Sequence, residues 1–274
     1  MSLWLAILII IAGSTAAIGA LYLVRLRAPS GGYFVEIGRA SGVFGVLGTA
    51  FAVLLAFVIL LALQSYGNAK ENAGQEAVAV TQLYRTTALL SDPTGAQLRG
   101  QLVCYGRAVV HDEWQTMRGG NESRLVQDWI DTMGTTVASL SPRAGREAIA
   151  YGHWFDQDAE RREGRRGRLA EAQPFVPPLL WLVLGLGAGL VVGYMLMFAD
   201  PREHFAVQAM MTGAVTAIVV SGLLIVGFLD TPYDDRSGSI RPTEMERTLK
   251  LIEQTRAPSL AALQIPCDVM GRTT

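Results

Sequence analysis

The residues best equipped for chemistry are few and scattered. His111, His153 and His204 fall at no metal-ligand spacing, either with one another or with Cys104 and Cys267. The two cysteines are too few and too far apart for a disulfide framework or a zinc site, so both are expected to stay reduced or simply packed. Asp230, Asp234 and Asp235 form an oxygen-rich cluster that could bind Ca²⁺, with an acidic turn as the plainer reading. His111-Asp112-Glu113 reads as a solvated helix face. Asn121-Glu122-Ser123 matches a glycosylation sequon, which a cytoplasmic segment would leave unmodified. Gly185-Leu186-Gly187 looks like a fragment of a dinucleotide loop, but no strand precedes it. There is no nucleophile elbow, P-loop or HExxH pattern. The expectation is therefore no catalytic residue and no cofactor.

The elements that would position these residues are set by a shortage of charge. Of 274 residues, 50% are hydrophobic and 17% charged, against about 25% charged in a soluble domain. Disorder needs the opposite composition. The net charge of −1 gives no global field for nucleic acid. No charged residue occurs in 1–24, 40–69, 172–199 or 205–229. A bilayer core of roughly 30 Å needs about 20 apolar helical residues, so four transmembrane helices are expected near 3–24, 42–63, 177–198 and 206–228. The first lacks a positively charged start and a clean cleavage pattern, and reads as a retained helix rather than a signal peptide. The third carries Gly185, Gly189 and Gly193, and the fourth Gly213, Ala217 and Ser221, each at spacings of four. Such stripes let a neighbouring helix approach closely. None of the spans carries an ionisable residue at depth, which argues against proton-coupled transport and leaves a passive pore or an anchor.

The domains expected are 1–64 (two spans), 65–176 (a helical domain into which the second span extends), 177–229 (two spans) and 230–274 (a tail). Ser91-Asp92-Pro93 should break the extended helix. Further helices are expected over 94–117, ended by Gly119-Gly120-Asn121, over 122–140, and after Ser141-Pro142 as cap and first turn. A short helix is expected over 244–254. Arg161, Arg162, Arg165, Arg166 and Arg168 precede the third span and read as a basic segment meeting anionic lipid, or as a source of positive potential at a pore mouth. Counting these with Arg236 and Arg241 against Arg25, Arg27, Arg39 and Arg202 places the middle domain and both termini in the cytoplasm of a bacterial inner-membrane protein.

Five segments resemble one family. Leu47-Gly48-Thr49-Ala50-Phe51-Ala52-Val53-Leu54-Leu55-Ala56-Phe57 is the first. Glu76-Ala77, Leu83-Tyr84-Arg85, Glu113-Trp114 with Met117, and Leu229-Asp230-Thr231-Pro232-Tyr233 are the others. Together they resemble the bestrophin-like domain family of bacterial four-helix membrane proteins, over about 42–251. The resemblance to bestrophins themselves is more distant. It implies a homo-oligomer, with a pentamer as the model, conducting anions passively through an apolar neck on the second helix at Thr49, Val53 and Phe57. Their spacing of four makes a continuous stripe. The sequence departs from bestrophins at Val58 and at Gln64-Ser65-Tyr66-Gly67-Asn68, and its acidic cluster is sparse. The competing expectation is a non-conducting scaffold or sensor that binds a protein or lipid partner through a face around Tyr84, Arg85, Glu113 and Trp114.

Overall fold

The charge-free stretches become helices. The computed structural model describes residues 3–91, 93–255 and 265–274. In chain order the elements are α1 (Leu3–Arg27), α2 (Ile37–Thr87), α3 (Thr94–Ala108), a π-helical turn (Val109–Glu113), α4 (Trp114–Thr116), a 3-10 turn (Met117–Gly119), α5 (Arg124–Ala138), α6 (Arg146–Ala170), α7 (Pro178–Leu196), α8 (Phe205–Leu229) and α9 (Thr243–Thr255). Helices α1, α2, α7 and α8 are long and apolar enough to cross a membrane. Among the described residues the only β-pairing is an isolated bridge between Cys267 and Thr273. This is an all-α membrane protein.

Local chemistry explains most of the boundaries. Pro177 and Pro178 open α7, where a missing N–H costs nothing. The Ser123 hydroxyl accepts the Val126 N–H at 3.2 Å and caps α5. Gly120, at φ 70°, ends the 3-10 turn in the left-handed conformation that glycine tolerates. Helix α2 stops at Thr87, ahead of the expected break, of which Asp92 lies outside the described residues. Ser141 does not cap a helix: 141–145 stays irregular, and α6 begins only after Gly145, whose φ of 94° a side chain would resist.

The chain divides into two compact units. The first comprises Met1–Ser65, Pro174–Thr231 and Asp235–Gly238. Its interior is apolar, built on Phe51, Leu55, Val58, Leu184, Val191, Val219 and Val226. Arg25, at the end of α1, donates to the carbonyls of Pro201 (3.0 Å) and Glu203 (2.5 Å), tying down the connection between α7 and α8.

The second unit comprises Tyr66–Gln173, Pro232–Asp234 and Ser239–Thr274. Its core packs Leu83, Leu98, Leu102, Trp114, Trp129 and Trp154. The C-terminal segment is part of this core. Tyr233 Oη donates to the Ala69 carbonyl (2.9 Å), and Trp114 Nε1 to that of Ile240 (3.2 Å). The cysteines correct the expectation of reduced thiols: Cys104 and Cys267 form a disulfide. They are 163 residues apart in sequence, and folding alone brings their Cα atoms to 5.8 Å.

Candidate functional site

Two places concentrate the residues singled out by the sequence. The first is the membrane portion of α2. Phe51, Leu55 and Val58 are buried in the first unit, whereas Thr49, Val53 (50% exposed) and Phe57 (61% exposed) lie on the opposite, uncovered side. A period of 3.6 residues separates the two sets into faces. The uncovered face is apolar and uncharged, and its own chain does not fill it.

Close helix approach in this unit uses Gly213 as expected, but on α7 it uses Gly187 rather than Gly185, Gly189 and Gly193. A Cβ at Gly187 would stand 2.6 Å from the Phe51 ring, and one at Gly222 would stand 2.6 Å from Leu55. Gly213 faces Ile18 (3.2 Å), and Ala217 and Ser221 are half-buried. At Gly185, Gly189 and Gly193 nothing lies within 4 Å, so that stripe is open rather than packed within the chain. The spacing of four was visible in the sequence. Which stripe receives Phe51 and Leu55 depends on how α7 and α8 are rotated.

The second place is the charged interior of the second unit. Arg161, Arg165 and Arg168 recur at i, i+4 and i+7 and share one face of α6. Gly164 and Gly167 lie between them and bring α6 against α2: a Cβ at Gly164 would be 2.7 Å from the Glu76 backbone nitrogen, and one at Gly167 would be 2.5 Å from Asn72. Arg168 is fully buried and donates to Glu76 through Nε (2.6 Å) and Nη2 (3.0 Å), and to Glu113 through Nη2 (2.5 Å). Arg165 donates to Glu113 Oε1 through Nε (3.0 Å) and Nη2 (2.6 Å). Tyr105 Oη donates to Glu76 Oε1 (2.5 Å). Arg161 pairs with Asp158 (2.6 Å) and lies over the Tyr105 ring at 4.9 Å. Three guanidiniums thus meet three carboxylates.

The π-helical turn is what delivers Glu113. Trp114 N–H donates to the Val109 carbonyl, an i→i−5 bond that adds a residue to the turn and moves Glu113 and Trp114 toward the inward face. Burial works to raise the Glu113 pKa, but Arg168 and Arg165 outweigh it and hold the carboxyl below its ordinary value. Burial likewise works to lower the Arg168 pKa, and Glu76 and Glu113 more than restore it. Burial and the Glu76 charge push the Tyr105 phenol up, so it stays a donor. Every oxygen of Glu76 and Glu113 accepts a hydrogen bond, which makes the network a lock between α2, the π-helical turn and α6.

This geometry corrects several expectations. Arg161, Arg165 and Arg168 do not meet lipid, because each is sealed against carboxylates; Arg162 and Arg166 are exposed. Glu113 is fully buried, so His111-Asp112-Glu113 is not a solvated face. Tyr84, Glu113 and Trp114 are buried and only Arg85 is exposed, so these four residues do not together form an exposed face. Asp230 is not poised for a cation: one carboxylate oxygen accepts the Val176 N–H (2.7 Å) and the other the Trp181 indole (3.4 Å). No three His, Cys, Asp or Glu among the described residues come together as a metal site, so Asp230, Asp234 and Asp235 do not form one. Sequence reasoning missed Glu76, Tyr105 and Asp158 as network members. The detectable signal was the i, i+4, i+7 spacing of the arginines, a face too regular for a merely solvated run.

The bestrophin-like domain profile matches residues 39–245. The chain belongs to the bestrophin-like family. No curated protein matches it. Solved structures of a bacterial bestrophin homologue from Klebsiella pneumoniae share its fold. A single-substitution form gives a TM-score of 0.69 at 16% identity, covering 94% of this chain and 97% of that one. A structure phased on zinc gives 0.64 at 18% identity, covering 94% and 97%. A second substituted form gives 0.68 at 16% identity, covering 93% and 98%. This bestrophin-like chain therefore keeps the fold over nearly its whole length with few identical residues.

Proposed function

We propose that the protein is a passive, homo-oligomeric anion channel of the bacterial inner membrane. In this reading Thr49, Val53 and Phe57 of α2 form an apolar neck around an axis shared by several copies, five being the number that the resemblance to bestrophins implies. The supporting observation is the exposure of that stripe: Thr49, Val53 and Phe57 are exposed in their own chain, while Phe51, Leu55 and Val58 on the other side are buried. An apolar constriction of this kind gates by dewetting rather than by charge. The charge-free spans fit a passive path better than a coupled one. The reading needs no cofactor, no metal and no catalytic residue.

The test is electrical. Full-length oligomer in planar bilayers, under a chloride gradient, is expected to carry current that reverses near the chloride equilibrium potential. Phe57→Ala should raise the unitary conductance. Silent bilayers containing the intact oligomer, or a purified protein that is monomeric, would overturn the proposal.

A further inference from the structure

Cys104 and Cys267 meet where the C-terminal segment is seated on α3. Cys104 is fully buried, and Cys267 is 6% exposed. Trp129 Nε1 donates to the Gly271 carbonyl (2.7 Å), and Arg107 Nη1 to that of Asp268 (3.1 Å). The Asp268 carboxylate accepts the backbone N–H groups of Met270 (2.8 Å) and Arg272 (2.9 Å), which folds 268–272 into a turn. Gly271, at φ 82°, lies so close to α3 that a Cβ would be 2.5 Å from the Ala108 nitrogen. None of these contacts passes through the sulfurs, so the seat presents the two thiols to each other before any bond forms.

Two observations make this bridge a reversible one. The first is its neighbourhood. Arg107 Nη1 stands 4.0 Å from Cys267 Sγ. A guanidinium beside a sulfur favours the thiolate, the form that attacks a disulfide and that leaves from one. Cys267 is also the less buried of the two cysteines, so exchange enters there. The second is the compartment. The arginine run before α7, with Lys70, Arg236 and Arg241, outnumbers Arg25, Arg27, Arg39 and Arg202 near the span ends. The more basic side faces the cytoplasm. Cytosolic disulfides in mesophiles are usually transient, and serve catalysis or redox sensing.

We infer that Cys104 and Cys267 are a reversible oxidation site in a cytoplasmic unit, closed by a low-molecular-weight disulfide and reopened by a dithiol, and that the bond fixes 265–274 on α3. On closing, the Cys267 thiolate attacks one sulfur of the oxidant, and the oxidant's other half leaves as a thiolate. The Cys104 thiolate then attacks the Cys267 sulfur of the mixed disulfide and expels the remaining half. The two cysteines lose two protons and two electrons, and the oxidant takes both as two thiols. Opening runs in reverse: a dithiol attacks the Cys267 sulfur, Cys104 leaves, and the second thiol of the reductant completes its own disulfide. With the bond open, the segment is held only by the hydrogen bonds and packing described above. The inference rests on the cytoplasmic placement and not on conduction, so silent bilayers leave it standing.

Thiol counting in growing cells tests it. Cells are quenched in acid, denatured and treated with a maleimide–polyethylene glycol. Both cysteines of the wild-type chain should add the reagent in untreated cells, neither after a pulse of diamide, and both again once the cells recover. Two blocked cysteines in untreated cells, or two free ones after diamide, overturn the inference. C-terminal fusions separate its two parts. A bright green fluorescent protein fusion with permanently blocked cysteines removes the switch alone; a dark one with an active alkaline phosphatase fusion removes the placement and the switch together. On the purified full-length chain, amide hydrogen exchange over 265–274 should be roughly tenfold or more faster in dithiothreitol than in glutathione disulfide. Equal protection in the two overturns the claim that the bond fixes the segment.

Discussion

Helix α2 carries opposite solutions along its length. Near its middle, Phe57 is 61% exposed; further along, Glu76 is 1% exposed. The usual arrangement of apolar inside and charged outside is inverted at both positions. In the membrane unit, an uncovered phenylalanine is tolerated on an apolar, uncharged face, because a neighbouring copy or lipid covers it without burying any polar group. In the helical unit, a buried carboxylate is tolerated because Arg168 and Tyr105 satisfy it. Burial therefore reports the local solvent and the available partners, not hydrophobicity alone.

The contrast can be broken most sharply at Arg168. Arg168→Met leaves Glu76 and Glu113 buried with fewer donors. Removing one partner of a buried pair costs about 3–5 kcal/mol. Tryptophan fluorescence during unfolding, with Trp114 beside the guanidinium, should show the helical unit destabilised while the four spans still insert.

Acid should act next. The Glu113 carboxyl titrates below its ordinary value of about 4.5 in the folded protein. The unfolded chain therefore binds more protons as pH falls through and below that value, so the stability this group contributes is present above about 4.5 and lost on further acidification. Unfolding midpoints measured across this window should fall with pH. Glu113→Gln should start lower and show a shallower slope.

A smaller effect separates two glycines. Gly164→Ala forces a methyl against the α2 backbone and should cost about 1–3 kcal/mol. Gly185→Ala meets open space and should stay within about 0.5 kcal/mol by the same measurement. The smallest effect on the fold is expected for Phe57→Ala, whose side chain is 61% exposed. Helix content by circular dichroism should be unchanged, leaving conductance as the property that moves.

Much of the architecture was legible before folding was considered. The spans near 3–24, 42–63, 177–198 and 206–228 correspond to α1, the first part of α2, α7 and α8 within a few residues at most boundaries. The charge-free runs are one-dimensional signals, and length along the chain is what a bilayer measures. The site was less legible. Arg161, Arg165 and Arg168 look the same as Arg162 and Arg166 when counted, and differ only in helical phase. Their partners Glu76 and Glu113 lie 92 and 55 residues from Arg168.

What the sequence by itself determined is the number of crossings, the helical class and the family, because each depends on composition over a window or on a contiguous motif. Only the tertiary structure decided which arginines leave water, that Glu113 and Trp114 turn inward, that Gly187 rather than Gly185 receives a neighbour, and that Cys104 meets Cys267. Those outcomes depend on pairing between distant segments and on helix rotation. A residue's type constrains both only weakly, and packing fixes them.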